Sequence, residues 1–192
     1  MNKLYTIRND DYKFQELDLE IDDFIDDKPA GVDESAVFDF SIENTRMAAW
    51  WKPVSTEFVP IRGQQGTPIP DISKWINASL VLSPKAHRLL GQILTPWGEL
   101  LPIDIFGETY YIFNCLTSVA ANEKLSEKEY FDDEEIGIKR VAFESKLTID
   151  KLIFKTPFQN CLDLYCTDKL KDIINSFGLT GVVFDTDSVA SN

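Results

Sequence analysis

The sequence predicts an α+β fold: a single domain over residues 1–192, with helices packed on a mixed or antiparallel sheet. Three observations predict it. Residues 162–184 read as strand, helix and strand in succession. Residues 79–106 follow the same order. Residues 100–115 read as a hairpin, two apolar runs around Gly107-Glu108.

In chain order, residues 4–8 are a short strand candidate. Residues 10–27 fit two patterns. Leu17, Leu19 and Ile21 alternate with acids, as on a half-exposed strand, while Phe14, Leu17, Ile21, Phe24 and Ile25 fit a helical face. Residues 26–34, with Pro29 and Gly31, form a loop. Val37, Phe38, Phe40 and Ile42 suggest a strand or a sheet-packing segment, and residues 45–51 a helical turn stopped by Pro53. Residues 55–61 are extended, residues 63–70 are a loop, and residues 71–76 lead into the first strand–helix unit.

In that unit residues 79–82 are the strand. Ser83 is the N-cap, Pro84 takes the first helical position, and Ala86, Leu89, Leu90, Ile93 and Leu94 form the apolar face. Thr95-Pro-Trp-Gly98 breaks the helix before the hairpin. Residues 117–135 are polar and acidic, a loop or a loosely attached helix. Residues 141–143 and 147–154 resume the core. In the last unit Thr167 is the N-cap and Asp168 suits the helix dipole. Leu170, Ile173, Ile174 and Phe177 share a face, and Gly178 stands where a left-handed C-cap is wanted. Residues 182–184 read as a buried strand and residues 188–192 as a polar tail. The two units are too unlike in sequence to be a repeat.

A hydrophobic fraction of 44% over 192 residues is enough to build a core. No run approaches the ~20 apolar residues of a membrane span, and the N-terminus has no apolar block of a signal peptide. The expected location is the cytoplasm. The three cysteines, Cys115, Cys161 and Cys166, are odd in number and loosely spaced, so buried free thiols are expected rather than a disulfide framework. With His87 as the single histidine, a zinc site lacks ligands. The net charge of −13 is concentrated. Residues 10–27 hold nine acids and one lysine, and residues 123–135 hold seven acids and two lysines, so −8 and −5 account for all of it. Such a chain repels a phosphate backbone, which argues against nucleic-acid binding, and attracts a basic protein.

Glycine-rich phosphate loops and nucleophile elbows are absent. His87 falls on the solvated side of its helix, opposite Leu89 and Ile93. Paired carboxylates recur at Asp10-Asp11, Asp22-Asp23, Asp26-Asp27, Asp132-Asp133 and Glu134-Glu135, but in polar segments and without the spacing of a calcium loop. No catalytic residue, cofactor or metal is expected. Trp50-Trp51 has two readings: a helical turn that buries most of both rings, or one ring exposed on a binding surface.

Three phrases resemble a family: Leu80-Val81-Leu82-Ser83 with Leu89-Leu90; Leu101-Pro102-Ile103 before Tyr110-Tyr111-Ile112-Phe113-Asn114; and Leu152-Ile153-Phe154 leading through Tyr165-Cys166-Thr167-Asp168-Lys169-Leu170 to Leu179-Thr180-Gly181-Val182-Val183-Phe184. In order and spacing, over roughly residues 70–185, the chain is similar to a bacterial immunity-protein family encoded beside polymorphic toxins. The family has an acidic phrase after the Tyr-Tyr-x-x-Asn strand, where this chain has Cys115-Leu-Thr-Ser-Val. Residues 1–60 match poorly, as a variable part fitted to an individual partner would. The resemblance implies an inhibitor without catalytic residues, binding a cognate toxin or effector in the producing cell, with carboxylates imitating the phosphates that a basic active-site surface expects. Asp22, Asp23, Asp26, Asp27, Trp50, Trp51, Asp132, Asp133, Glu134 and Glu135 are the candidate toxin contacts. The competing readings are a small carboxylate-dependent enzyme and an acidic scaffold or regulatory protein with an unrelated partner.

Overall fold

A computed structural model describes residues 3–10, 12–25, 28–61 and 63–191, with the backbone alone for Glu135 and Ser191. The chain forms β1 (Leu4–Asn9), β2 (Glu16–Asp18), a 3-10 turn (Ile21–Phe24), α1 (Glu34–Phe38), β3 (Ser55–Val59), β4 (Ile72–Lys74), β5 (Ser79–Leu82) and α2 (Pro84–Leu94). A second 3-10 turn (Thr95–Trp97) leads to β6 (Gly98–Ile105), β7 (Glu108–Cys115), β8 (Glu127–Phe131), β9 (Glu134–Phe143), α3 (Ser145–Thr148) and β10 (Ile153–Phe154). After a third (Pro157–Gln159) come β11 (Tyr165–Thr167), α4 (Asp168–Ser176), β12 (Val182–Asp185) and β13 (Val189–Ser191).

The architecture is mixed α+β and mostly sheet. Its strands fall into three sheets. The six-stranded sheet has the order β2-β3-β6-β7-β5-β4 and is antiparallel except for β3–β6. The four-stranded sheet, β10-β11-β1-β12, is antiparallel throughout. The third, β13-β9-β8, joins a parallel pair to a hairpin.

Both strand–helix–strand units form. β11 and β12 flank β1, each antiparallel to it, so they run parallel to one another with α4 as the crossover. In α2 the Ser83 hydroxyl accepts from the Ala86 N–H at 3.1 Å, and Pro84 opens the helix. Ala86, Leu90 and Leu94 are buried, with Leu89 and Ile93 packed beside them. α4 departs from expectation at two points. The Thr167 hydroxyl donates to the Lys151 carbonyl instead of capping the helix. Leu170 and Ile174 are buried and Ile173 is half-buried, but Phe177, at the C-cap, lies past the sheet and is 41% exposed.

The six-stranded sheet is buried on both faces. Leu80, Leu82 and Phe113 face α2 and α4, whereas Val81, Leu101, Ile103 and Ile112 face a cover made by residues 19–54. Phe24, Val37, Phe40 and Met47 are the apolar contribution of that cover. A third cluster, around Phe143, Phe154 and Tyr165, lies under β9 and β13.

Other sequence expectations change, in whole or in part. Residues 37–42 are not a strand but the sheet-packing alternative, with Val37 and Phe40 packed on the six-stranded sheet. Asp33 accepts the Ser35 N–H at 3.0 Å and starts α1, and the helical spacing buries Val37 and Phe40 while exposing Phe38 and Ile42. Residues 117–126 are a loop, as one reading had it, but residues 127–135 carry β8 and the start of β9, joined at Asp132 and Asp133. These adopt φ of 47° and 67°, left-handed values that aspartate tolerates in a two-residue hairpin turn. The polar tail contributes β13, paired with β9. Among the described residues of 10–27, Glu16–Asp18 form β2 and Ile21–Phe24 a 3-10 turn, so each reading holds over only a few residues. The β6–β7 hairpin forms one residue earlier than its glycine suggested, on Phe106-Gly107, with Ile105 opposite Glu108.

Two buried ionic groups hold residues 41–48, which have no regular structure. Glu99 sits in the inward row of β6 with Leu101 and Ile103. Its carboxylate accepts from the Met47 N–H (2.8 Å), the Ala48 N–H (3.2 Å) and the Asn114 amide (2.9 Å). Lys155, fully buried, donates from Nζ to the Ser41 carbonyl. Burial pushes the Lys155 pKa below the usual lysine range. Its folded pKa is therefore below its unfolded one, and the unfolded chain binds more protons between the two values. Lys155 thus adds a stability that rises with pH through this window, is complete above the unfolded value of about 10.4, and is lost as pH falls through the folded value. Urea melts of wild type and Lys155→Met from neutral to alkaline pH should differ by such a rising component. Parallel profiles would show that the lysine titrates alike in both states.

Candidate functional site

Where β2 and β3 meet the end of β6, the surface opens into a groove of about 880 Å³. Five carboxylate residues line it, Asp18, Glu20, Asp23, Glu57 and Asp104, with the exposed ring of Phe106 at one side. No lysine or arginine is among its described lining residues. The backbone imposes this. β2 pairs with β3 so that Asp18 stands directly opposite Glu57, a like-charged cross-strand pair that costs stability. The Asp23 carboxylate accepts the Glu20 N–H at 3.0 Å and closes the 3-10 turn, and the Asp104 carboxylate accepts the Gly107 N–H at 3.2 Å in the neighbouring hairpin. Each turn thereby fixes one acid at the groove, and Asp22 projects into solvent beside Asp23.

The second acidic segment lies in a different sheet. Asp132, Asp133 and Glu134 are exposed at the tip of the β8–β9 hairpin. Nearer its root, Lys139 pairs with Glu127 at 3.0 Å, and this hydrogen bond holds the Glu127 carboxyl below its ordinary range. Asp26, Asp27 and the side chain of Glu135 lie outside the described residues.

Trp50 and Trp51 are both half-buried, as the helical-turn reading has it. The Trp51 indole N–H donates to the Pro102 carbonyl at 2.7 Å, and its ring stacks on Phe24 at 4.3 Å. Trp51 is thus a support beneath the turn that carries Asp22 and Asp23, and not an exposed contact. Sequence reasoning missed Glu57, Asp104 and Phe106, which reach the groove only through strand pairing. The one local signal was the hairpin turn that brings Phe106 out.

The other candidate groups are quiet. His87 is half-buried and not solvated: it stacks on Tyr111 with centroids 3.6 Å apart, and burial lowers its pKa. All three thiols are free and buried, and burial raises the pKa of each, that of Cys115 to about 11. Among the described residues no group of three or more His, Cys, Asp or Glu could hold a metal ion, and no helix is long and apolar enough to cross a membrane.

No protein-family model matches the chain, and comparison with curated proteins gives no match.

Proposed function

We propose that this chain is an immunity-type inhibitor, a protein that binds a basic toxin or effector domain in the cytoplasm of the cell that makes it and blocks that domain's active surface. The observation that carries this reading is the groove at β2, β3 and β6. Five carboxylate residues converge there without a basic residue among the described lining, and one pair of them, Asp18 and Glu57, is set in mutual repulsion. A bound cationic surface relieves that repulsion, so the cost is offset when the complex forms. The resemblance over residues 70–185 supports the same reading. Of the N-terminal part, β1 is committed to the middle of a sheet. The region free to be fitted to a partner therefore begins after Asn9, where the excess charge begins.

The test is co-expression with the toxin domain encoded beside the chain. The expected outcome is rescue of growth and a one-to-one complex on sedimentation. Turnover of the toxin's substrate or product by the isolated chain would point instead to a carboxylate enzyme. A stable complex with no effect on toxicity would point to a scaffold.

A further inference from the structure

We propose that the tip of the β8–β9 hairpin is the anchoring element of the inhibitor and enters a cleft with cationic and apolar walls on a basic protein partner. This rests on the inhibitor reading above and adds which element docks and what shape receives it.

The hairpin is firmly rooted. Val141 and Phe143, at the end of β9, are buried, and β9 is paired there with β13. The Lys128 ammonium lies 5.4 Å from the centre of the Phe158 ring. The tip has no such cover. Tyr130 is 59% exposed, Phe131 68% and Ile136 60%, which puts three large apolar side chains in solvent on one short ribbon. Tyr130 and Phe131 are adjacent in β8, so they project from opposite faces. A ribbon with an aromatic ring on each face cannot bury both against a flat surface, whereas a cleft that takes the ribbon edgewise can.

Charge decides what lines that cleft. Residues 129–136 contain five acids and no basic residue. A second copy of this chain would bring two such tips together and is repelled, whereas a cationic cleft is attracted. The edge of the sheet argues for side-chain recognition. β8 is the outer strand, but its register with β9 is broken between Glu127 and Lys128 and again between Glu129 and Tyr130. Such irregularities oppose indiscriminate strand addition, and recognition then falls to the aromatic rings and the carboxylates around them.

The probe is the basic toxin domain that the inhibitor reading requires, titrated against the full-length protein. Tyr130→Ser with Phe131→Ser should melt with wild type, since both rings are exposed, yet weaken binding by about 100-fold, mostly through faster dissociation. Tyr130→Phe with Phe131→Leu should bind nearly as wild type. Asp18→Asn, Glu20→Gln and Asp23→Asn, in the groove, should slow association more than they speed dissociation. Hydrogen exchange on the wild-type complex should show protection over residues 127–140. Undiminished binding by a serine variant that melts normally overturns the proposal, and so does a complex in which residues 127–140 are unprotected. A dimer of the chain at high salt that Phe131→Ser dissolves also overturns it, because a second copy would then be the occupant. If the wild-type chain binds no such toxin domain, the inhibitor reading fails and the hairpin proposal falls with it.

Discussion

Gly181→Ala should destabilise the fold by about 2–6 kcal/mol, the sum of backbone strain and overpacking. Gly181 has φ of +107°, a conformation that a residue with a Cβ rarely adopts. A Cβ there would also stand 2.1 Å from the Ile72 carbonyl oxygen and 2.4 Å from the Pro70 side chain. Those contacts lie at the seam between two sheets. The Ile72 N–H donates to the Thr180 carbonyl and the Asp10 N–H to the Gly181 carbonyl, both at 2.9 Å, which ties the edge of the six-stranded sheet to the β1–β12 pair. Backbone on both sides must move to admit a methyl group. Urea unfolding is the measurement, and a midpoint within experimental error of wild type would show that the seam is not close-packed.

Glu99→Ala should cost about 2–6 kcal/mol, because removing the buried carboxylate leaves two backbone donors without their acceptor, at about 1–3 kcal/mol each. The Met47 and Ala48 N–H groups and one bond of the Asn114 amide then lose their acceptor. Glu99→Gln keeps one acceptor oxygen and should cost less. The loss reaches the groove: residues 41–48 lead into Trp51, Trp51 stacks on Phe24, and Phe24 ends the turn that carries Asp22 and Asp23. The alanine variant should therefore bind a partner more weakly even where it remains folded. Urea midpoints for the two variants check the ranking, and equal losses for Gln and Ala would show that the carboxylate's hydrogen bonds are not what hold this segment.

What was legible in the sequence was local. Ser83-Pro84, the apolar row of α2, the two apolar runs of the β6–β7 hairpin and Gly178 each state their structure within a few residues, and the structure follows them. What was illegible depended on partners distant in sequence. β13 is only three residues long, in a segment that reads as a polar tail, and its pairing with β9 makes it a strand. The β8–β9 hairpin sets Tyr130, Phe131 and Ile136 among five acids and exposes all three, so its apolar residues mark no buried face, and its turn uses two aspartates in place of the usual glycine. Val37 and Phe40 have spacing that fits either a strand neighbourhood or a helix, and the Asp33 cap decides for the helix.

The candidate site divides in the same way. The acids of residues 10–27 and 123–135 stood out by composition alone. That Asp18 faces Glu57, that Asp104 joins them, and that the two acidic segments belong to separate sheets are products of register and topology. Trp51 was visible as an oddity, but its role as a prop under the acidic turn required the position of Phe24.

The central claim is that concentrated, exposed acid on this chain captures a basic partner. The most direct measurement is the association rate with the basic toxin domain that the proposed inhibitor role requires, at low and high salt, for wild type and for a variant with Asp18, Glu20, Asp22 and Asp23 replaced by lysine. As the Debye length falls from ~10 Å at 0.1 M to ~3 Å at 1 M, the wild-type rate should drop steeply. The lysine variant should associate slowly at both salt concentrations, with its dissociation rate changed far less. An association rate indifferent to both salt and the substitutions would contradict the account and leave the acids as a solubilising surface.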